Sequence, residues 1–430
     1  MYDTNFDSAG QALYDYGEII CIFPLNLRLM EQLLANRVKT LPQSALLAVY
    51  QQAQVLKAQG CDVYDLGIGE PSFPTPQHIQ EAAKQAIDTG AYFGYPPVAG
   101  YADLRAAIAR KLRNDNGIAC EPDQIVVSAG VKQALANVFL SLLNPGDEVV
   151  VCTPYWAGYT SVIQLAGGKP VFIKGRPEDH FEPTPEQLDQ VITPRTKAIL
   201  FSSPCNPAGW IFSKASLTAI VDVLAQHPHV LVIADEIYEY IRFVAYYTSM
   251  GALPGMQDRT ITVNGFSKSF AMTGWRVGYL AAPLWLAKAC SKIQGQLSSA
   301  ASSIAQRAAL AAMESDKLLV QPMVAAYRQR RDLAMRLLSE LPGCRYPRPL
   351  GAFYLFPDIS YYFGQVAGTS VIRHSADFCA YVLQAAHVAL VPGDAFGEPR
   401  CVRLSYAVTE ATLQKAVRRL QAALHRLKSI

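Results

Sequence analysis

Short apolar runs alternate along the chain with longer segments whose apolar residues recur every three to four positions. Gln124–Ser128, Glu148–Cys152, Ala198–Ser203, Val230–Ala234, Thr260–Asn264 and Val277–Ala281 read as strands. Between them, Val131, Leu135, Val138, Phe139 and Leu142 fall at helical spacing, and turns such as Asn144-Pro145-Gly146-Asp147 punctuate the joins. Several strands are apolar throughout, as expected where helices cover both faces of a mostly parallel sheet. In such α/β sheets ligands bind beyond the carboxyl ends of the strands. The C-terminal part reads differently. Helical segments near 315–340 and 410–428 bracket short strands around Ala352–Phe356 and Val402–Leu404, and a further helix is predicted near 43–58. This pattern predicts a smaller α+β domain built from both termini. Repeats, low-complexity tracts and linkers are absent from the sequence.

Composition narrows the class. The 430 residues suggest two to three domains, and 51% hydrophobic with 17% charged residues indicates a globular chain rather than a disordered one. The 38 basic and 35 acidic residues leave a formal charge of +3, too balanced for a nucleic-acid partner. No run of about eighteen apolar residues occurs, so no membrane span is predicted. Nine cysteines without a CxxC pair fit free thiols in a reducing compartment, the cytoplasm. The seven histidines lack metal-ligand spacing (His227 and His229 merely flank Pro228), so no metal site is expected. Asp3, Asp7, Asp15 and Glu18 precede the first basic residue, Arg28, which fits neither a secretory signal nor a transit peptide. Residues 1–30 read as an extension of unassigned role.

Candidate chemistry collects at predicted strand ends. Lys268 stands just past Gly265, where the strand 260–264 breaks, with Arg276 eight residues on. Such a lysine is either a solvated loop residue or a buried amine that loses its charge and acts as a nucleophile. Asp235 closes the apolar run 230–234, and Tyr238 follows three residues later. That carboxylate is either half of a salt bridge or the counter-ion of a protonated ring nitrogen, because an unpaired buried charge is costly. Ser128-Ala129-Gly130-Val131-Lys132-Gln133 runs from a strand into a helix start, where free amides suit a phosphate, although any βα turn carries glycine. Asn206 precedes a proline and is held out of the helical region, leaving either a plain turn or an amide free to meet a ligand. Tyr155-Trp156 supplies core or a stacking plate. Gly67-Ile68-Gly69-Glu70-Pro71 lacks the third glycine of a dinucleotide fingerprint and is not read as one.

Taken in order, these features run phosphate cradle, aromatic plate, Asn-Pro-x-Gly, strand-end Asp with Tyr three later, and Lys with Arg eight later. Together with Gly69-Glu70-Pro71, Tyr95-Pro96-Pro97, Gly130-Val131-Lys132-Gln133-Ala134-Leu135, Pro154-Tyr155-Trp156, the run from Ser267 to Arg276 and Val402-Arg403-Leu404-Ser405-Tyr406, they carry a resemblance. From about Leu34 to Leu424 the chain resembles the fold-type I pyridoxal-phosphate enzymes, class I/II aminotransferases. Within these it is most similar to bacterial aspartate aminotransferases of the Thermus kind.

The resemblance implies a large domain, residues 75–317, with a mostly parallel seven-stranded sheet, and a small domain from 31–74 and 318–430. It implies pyridoxal 5'-phosphate bound covalently to Lys268, which would also shuttle a proton. Asp235 would keep the pyridine nitrogen protonated, Tyr238 and Asn206 would meet the phenolic oxygen, and Trp156 would stack on the ring. Gly130, the amides of Val131 and Lys132, Arg276, and Tyr95 from the other subunit of a homodimer would hold the phosphate. Arg403, with Gly69, Trp156 and Asn206, would bind the amino acid or 2-oxo acid. Three positions depart from the family pattern: Ala208 for the usual threonine of Asn-Pro-Thr-Gly, Gly265 where some relatives place a phosphate-binding serine, and Pro42 where some Thermus-type relatives carry a lysine for a distal carboxylate. Aspartate and glutamate are the first-ranked amino donors. The alternatives are aromatic or other neutral amino acids, or lyase, synthase or oxidase chemistry on the same cofactor. A transcription regulator built on this fold would need an N-terminal DNA-binding module, which the thirty-residue acidic segment 1–30 is not expected to supply.

Overall fold

Strands β1 (Ile125–Ser128), β2 (Glu148–Thr153), β3 (Lys169–Lys174), β4 (Thr196–Ser202), β5 (Leu231–Asp235), β6 (Thr260–Gly265) and β7 (Gly278–Ala281) form one sheet in the order β1-β7-β6-β5-β4-β2-β3. Only β7 runs antiparallel to its neighbours. The computed structural model describes residues 32–41, 45–368 and 370–428. Pro42 and the extension 1–30 lie outside the described residues. Contacts divide the chain between Leu41 and Pro42. The described part of the first unit holds one short helix, Asn36–Lys39, and the account below concerns the second.

Alternation along the strands explains their apolar character. Val149, Val151, Leu200 and Ile233 pack into one layer with Leu135 and Ile163, from helices Val131–Leu142 and Gly158–Leu165. Val150, Ile199, Phe201 and Val232 point the other way and meet Leu217, Ile220 and Leu224 of helix Lys214–Ala225. A strand buried on both faces has no polar side to show, so period-two alternation disappears. Strand β3 lacks this signature and was not among the apolar runs. It lies at one edge of the sheet and, unlike the buried edge strand β1, is largely exposed; its ends are lysines, and Pro170 sits within it, where a missing N–H is tolerated.

The remaining elements join sequence-distant segments. Val391–Pro392, Val402–Ser405 and Tyr354–Leu355 form an antiparallel sheet in that order, and Tyr64–Asp65 pairs in parallel with Val388–Ala389. Helix Glu410–Leu424 starts at Thr409, whose hydroxyl accepts from the Thr412 amide at 3.1 Å. It buries Leu413, Val417, Leu420 and Leu424 along one face. The observed class is therefore α/β with a mostly parallel seven-stranded sheet, as expected.

One loop welds these elements to the large sheet. The Gly209 carbonyl accepts from the amides of Leu350 and Gly351 at 2.8 and 2.9 Å, which brings the 349–355 segment against the loop after β4. Gly209 has φ +66°, and a Cβ there would stand 2.6 Å from Pro349 Cβ. Gly209→Ala therefore combines left-handed strain with overpacking and should destabilise the fold by about 2–3 kcal/mol. A denaturant midpoint unchanged from wild type would show that the loop yields freely.

Candidate active site

The carboxyl ends of the parallel strands open on a cavity of about 810 Å³. Asp235 is the last residue of β5, and Tyr238 lies in the turn that follows. Lys268 sits three residues past β6, Asn206 four past β4, and Trp156 three past β2. Arg403 enters from strand Val402–Ser405, and Gly69 from the N-terminal side. Of the residues singled out in the sequence, these together with Val131, Lys132 and Arg276 line the cavity. Gly130 stands immediately behind Arg276. Tyr95 is not brought in: it is 96% exposed and lines no part of this chain's cavity.

The carboxylate and the amine are shaped by burial. Asp235 is 4% exposed; its Oδ2 accepts from the Tyr159 hydroxyl at 2.6 Å and its Oδ1 from the Ile237 amide at 3.2 Å. Burial pushes the carboxyl up to about 6, held back by those two donors and by the charge of Lys268. Lys268 Nζ donates to the Gly69 carbonyl at 2.6 Å. Burial, aided by the positive charge of Arg403, lowers its ammonium to about 8. Roughly a tenth of this amine is then free base at pH 7, against fewer than about one in a thousand for an exposed lysine. The nucleophilic reading of Lys268 is the one the geometry favours. Tyr238 hydrogen-bonds through its hydroxyl to that of Tyr354 at 2.8 Å, and burial raises its phenol well above the usual range.

Arg403 is the anchor at the opposite side. Its guanidinium is 1% exposed, lies 4.6 Å from the Tyr354 ring, and donates to Gly67 O at 2.6 Å and to Asn206 Oδ1 at 3.0 Å. Its Nε is buried without a hydrogen-bond partner among the described residues, which suits an incoming carboxylate. Asn206 therefore spends its acceptor end on Arg403 and keeps its NH₂ end as a donor. Asp65 Oδ1 in turn accepts from the Gly67 amide at 2.9 Å, fixing the carbonyl that Arg403 uses.

At the third corner, helix Val131–Leu142 begins at Gly130, φ +85°. A Cβ on Gly130 would stand 2.6 Å from Arg276 Nη2, so the glycine lets the guanidinium lie against the helix start. The first amides of a helix have no carbonyl one turn back to bond. With Arg276 beside them, they make an anion site. Lys132 Nζ lies 5.1 Å from the Trp156 ring centre. Gly265 holds no room for a serine side chain, since its Cβ would meet Gly278 Cα at 2.8 Å, and Ser267 lines the cavity instead. Ala208 belongs to an apolar cluster with Phe181 and Phe356, which accounts for its lack of a hydroxyl.

Two partners escaped sequence reading. Tyr159 lies at apolar helical spacing and passes for core, and Tyr354 sits in a buried strand pair. The only signal in either case is that a buried phenol requires a hydrogen-bond partner. No group of three or more His, Cys, Asp or Glu side chains suited to a metal occurs among the described residues, and none of the described helices is long and apolar enough to cross a membrane.

A helix-start anion site, an aromatic plate, a buried carboxylate and a lysine of lowered pKa around one cavity fit a flat anionic ring that carries a basic nitrogen and a carbonyl. In the ligand-free protein the buried Asp235 charge is a burden. Its folded pKa of about 6 lies above the ordinary 3.8, so the stabilisation from its protonated form is complete below about 4 and lost as pH rises through 6. The cost above that range is on the order of 3 kcal/mol. Asp235→Asn should therefore raise the melting temperature of ligand-free protein at pH 8, with the gain shrinking as pH falls from 6 toward 4. Calorimetry showing no gain at pH 8 would mean that the ionised carboxylate is already well solvated by Tyr159 and Ile237.

The chain is similar to proteins of known kind over most of its length. The profile of the family described as aminotransferase class I and II matches residues 61–420. A bifunctional aspartate aminotransferase and glutamate/aspartate-prephenate aminotransferase of Petunia hybrida is 44% identical over 400 residues, covering 92% of this chain and 83% of that protein. The crystal structure of the Rhizobium meliloti aspartate aminotransferase superposes with TM-score 0.88 at 40% identity, over 92% of this chain and 99% of that one. A Thermus thermophilus aspartate aminotransferase with maleate gives TM-score 0.85 at 39% identity, over 91% and 99%. The cavity groups and these likenesses agree: the chain belongs to the class I and II aminotransferases, fold-type I enzymes that work with pyridoxal phosphate.

Proposed function

We propose that this aminotransferase exchanges the amino group of aspartate or glutamate with a 2-oxo acid. The observation that carries this reading is the set of cations around one cavity: Arg403 with its unpaired buried Nε, Arg276 at the helix start, and Lys132 beside Trp156. Arg403 suits the α-carboxylate of every substrate, and Arg276 suits the cofactor's phosphate. Lys132 is then the lining cation left for a distal carboxylate. The aspartate aminotransferases of Petunia hybrida and Rhizobium meliloti support the same choice.

The cofactor supplies a sink for the electron pair released when substrate Cα gives up its proton. Lys268 is assigned the covalent tether and the proton carrier, a task its pKa of about 8 suits. Asp235 is assigned to hold a proton on the ring nitrogen, and pairing with that cation favours its ionised form. Tyr159 orients the Asp235 carboxylate through the 2.6 Å bond. The Tyr238 hydroxyl and the Asn206 NH₂ group are assigned to the cofactor's phenolic oxygen, and Trp156 packs on its ring. Gly130, the Val131 and Lys132 amides and Arg276 cradle the phosphate. Gly69 and Asn206 close around the substrate.

Borohydride reduction of the yellow protein should place the pyridoxyl label on Lys268. In a panel of donors with 2-oxoglutarate, aspartate should give the highest kcat/KM. Label on another lysine removes the mechanism, and phenylalanine or leucine outrunning aspartate overturns the substrate while keeping the family. With an amino acid alone, the cofactor should stop in its aminated form after one half-turnover; continuous product release would indicate lyase chemistry. A second acceptor is supported by relatives named for aspartate and prephenate, in Petunia hybrida and Cereibacter sphaeroides. Trp156, with Lys132 over its ring, and Tyr50 are among the residues that line the cavity, a lining that suits such a carboxylated ring.

The working unit is proposed to be a two-fold homodimer in the cytoplasm. Tyr95, almost fully exposed beside the exposed Phe93, is assigned to the phosphate of the neighbouring subunit's cofactor. The eight described cysteines are free, in keeping with a reducing compartment. Mixing Tyr95→Phe with Lys268→Ala protein should create heterodimers with one native site and more activity than the sum of the two separate variants. Strictly additive activity, or full activity as a monomer at high dilution, would refute a shared site.

A further inference from the structure

Behind the active site, on the side of the 235–240 turn away from the cavity, lies a cluster of buried polar side chains with no assigned role. Asp235 and Tyr238 line the cavity, whereas Glu236 and Glu239 of the same turn enter this cluster. Glu239 Oε1 accepts from both Lys111 Nζ and Asn264 Nδ2, the latter at 2.9 Å, and its Oε2 accepts from Asn116 Nδ2 at 2.8 Å. Glu236 Oε2 accepts from Ser249 Oγ at 2.8 Å and from Asn116 Nδ2 at 3.1 Å. All six side chains are buried.

Local backbone builds this arrangement deliberately. Helix Ala102–Lys111 loosens into a π-turn at Leu112–Asn116, and the extra residue sets Asn116 Oδ1 2.8 Å from Lys111 Nζ. Asn264 is held from its far end too, because its Oδ1 accepts from the Gly265 amide at 2.7 Å. Glu239 thus joins three pieces of chain: the π-turn, the turn that carries Asp235 and Tyr238, and the end of β6 that leads into Lys268.

We propose that the Lys111–Glu239–Asn264 chain, with Asn116 and Glu236 packed on it, is a positioning device that sets Lys268 in register with Asp235 and Tyr238. The two strand ends are otherwise tied to each other by a backbone ladder whose last pair is Asp235 and Val263, closed by the Glu236 amide donating to Val263 O at 2.9 Å, and Tyr238 and Lys268 lie beyond that rung. A buried, multiply bonded carboxylate extends the rigid part of the sheet by several residues, which is what a site needs to hold its groups within a fraction of an ångström. The charge balance agrees with a fixed structure. Burial, reinforced by the charge of Glu239, pushes Glu236 up to about 8, so at neutral pH it holds a proton and leaves one lysine facing one carboxylate. Tyr240, whose ring lies 5.1 Å from Lys111 Nζ, with Tyr247 and Tyr279, encloses the cluster, while Arg242 and the Asp115–Lys317 pair lie around it.

This inference rests on the roles assigned above to Lys268, Asp235 and Tyr238. Borohydride labelling of the wild-type holoenzyme tests those roles separately. The test of the device itself uses Asn264→Leu and Asn264→Ser holoenzymes, which lose the amide donor to Glu239, and Ser249→Ala, which removes a donor to Glu236 and an acceptor for Asn116 Nδ2 at 2.7 Å but leaves the Asn264–Glu239 bond in place. Three quantities are read: kcat and KM with aspartate, the pH midpoint of the visible band, and the melting temperature. Both Asn264 variants should lose about tenfold or more in kcat with KM changed less than about threefold, and the band midpoint should move by about half a pH unit or more. Ser249→Ala should lower the melting temperature and leave the midpoint in place. Should either Asn264 variant melt earlier yet keep the wild-type midpoint and kcat, the cluster is merely structural and the proposal fails. If the leucine variant does not fold, the serine variant alone decides by the same two readings.

Discussion

Complete burial of the Arg403 guanidinium is the constraint on which the site depends. A buried cation must be fully hydrogen-bonded or its desolvation destabilises the fold. Here the partners come from segments far apart in the chain, the Gly67 carbonyl and Asn206 Oδ1, with the Tyr354 and Phe396 rings at 4.6 and 5.0 Å from the guanidinium carbon. Satisfying one side chain thus pins the N-terminal strand region, the loop after β4 and the C-terminal sheet to a common point. It also orients the Asn206 amide, and it leaves Nε as the one guanidinium nitrogen without a partner among the described residues. Recognition and folding share the same bonds at this residue.

The opposite wall works by leaving charges underpaid. Burial shifts Asp235 upward to about 6 and Lys268 downward to about 8, in each case against the charged form. Neither group meets a full ionic partner in the protein; Asp235 has a phenol and an amide, Lys268 a backbone carbonyl. A ring that brings a cationic nitrogen and a carbonyl answers both deficits together. Strain of this sort lowers the stability of the empty protein and is typical of sites shaped for a ligand. The Lys111–Glu239 cluster behind the wall behaves oppositely. Its polar atoms are densely paired, and it provides the rigidity that the exposed side of the site lacks.

Much of this was legible in the chain itself. Six of the seven strands announce themselves as apolar runs because both faces are buried, and the turns that end them place Asp235, Asn206 and Lys268 where a parallel sheet opens. Strand β3 was silent because an edge strand tolerates lysine and proline. The motif order identified the family, since its residues must reach one ligand from successive strand ends. Residue type and order along the chain are local properties, and local sequence records them.

What the chain alone did not disclose is which side chains meet. Tyr159 and Tyr354 look like core until the fold aims their hydroxyls at Asp235 and Tyr238. The Asn206–Arg403 bond spans 197 positions and the Lys111–Glu239 pair 128, separations that no periodicity encodes. The pKa values of Lys268 and Asp235 follow from burial, which only the packed layers create. Sequence determined the strands, their order and the chemistry on offer at their ends, because those depend on neighbours in the chain. Tertiary structure decided the partners, the charges and the unpaired donor, because those depend on neighbours in space.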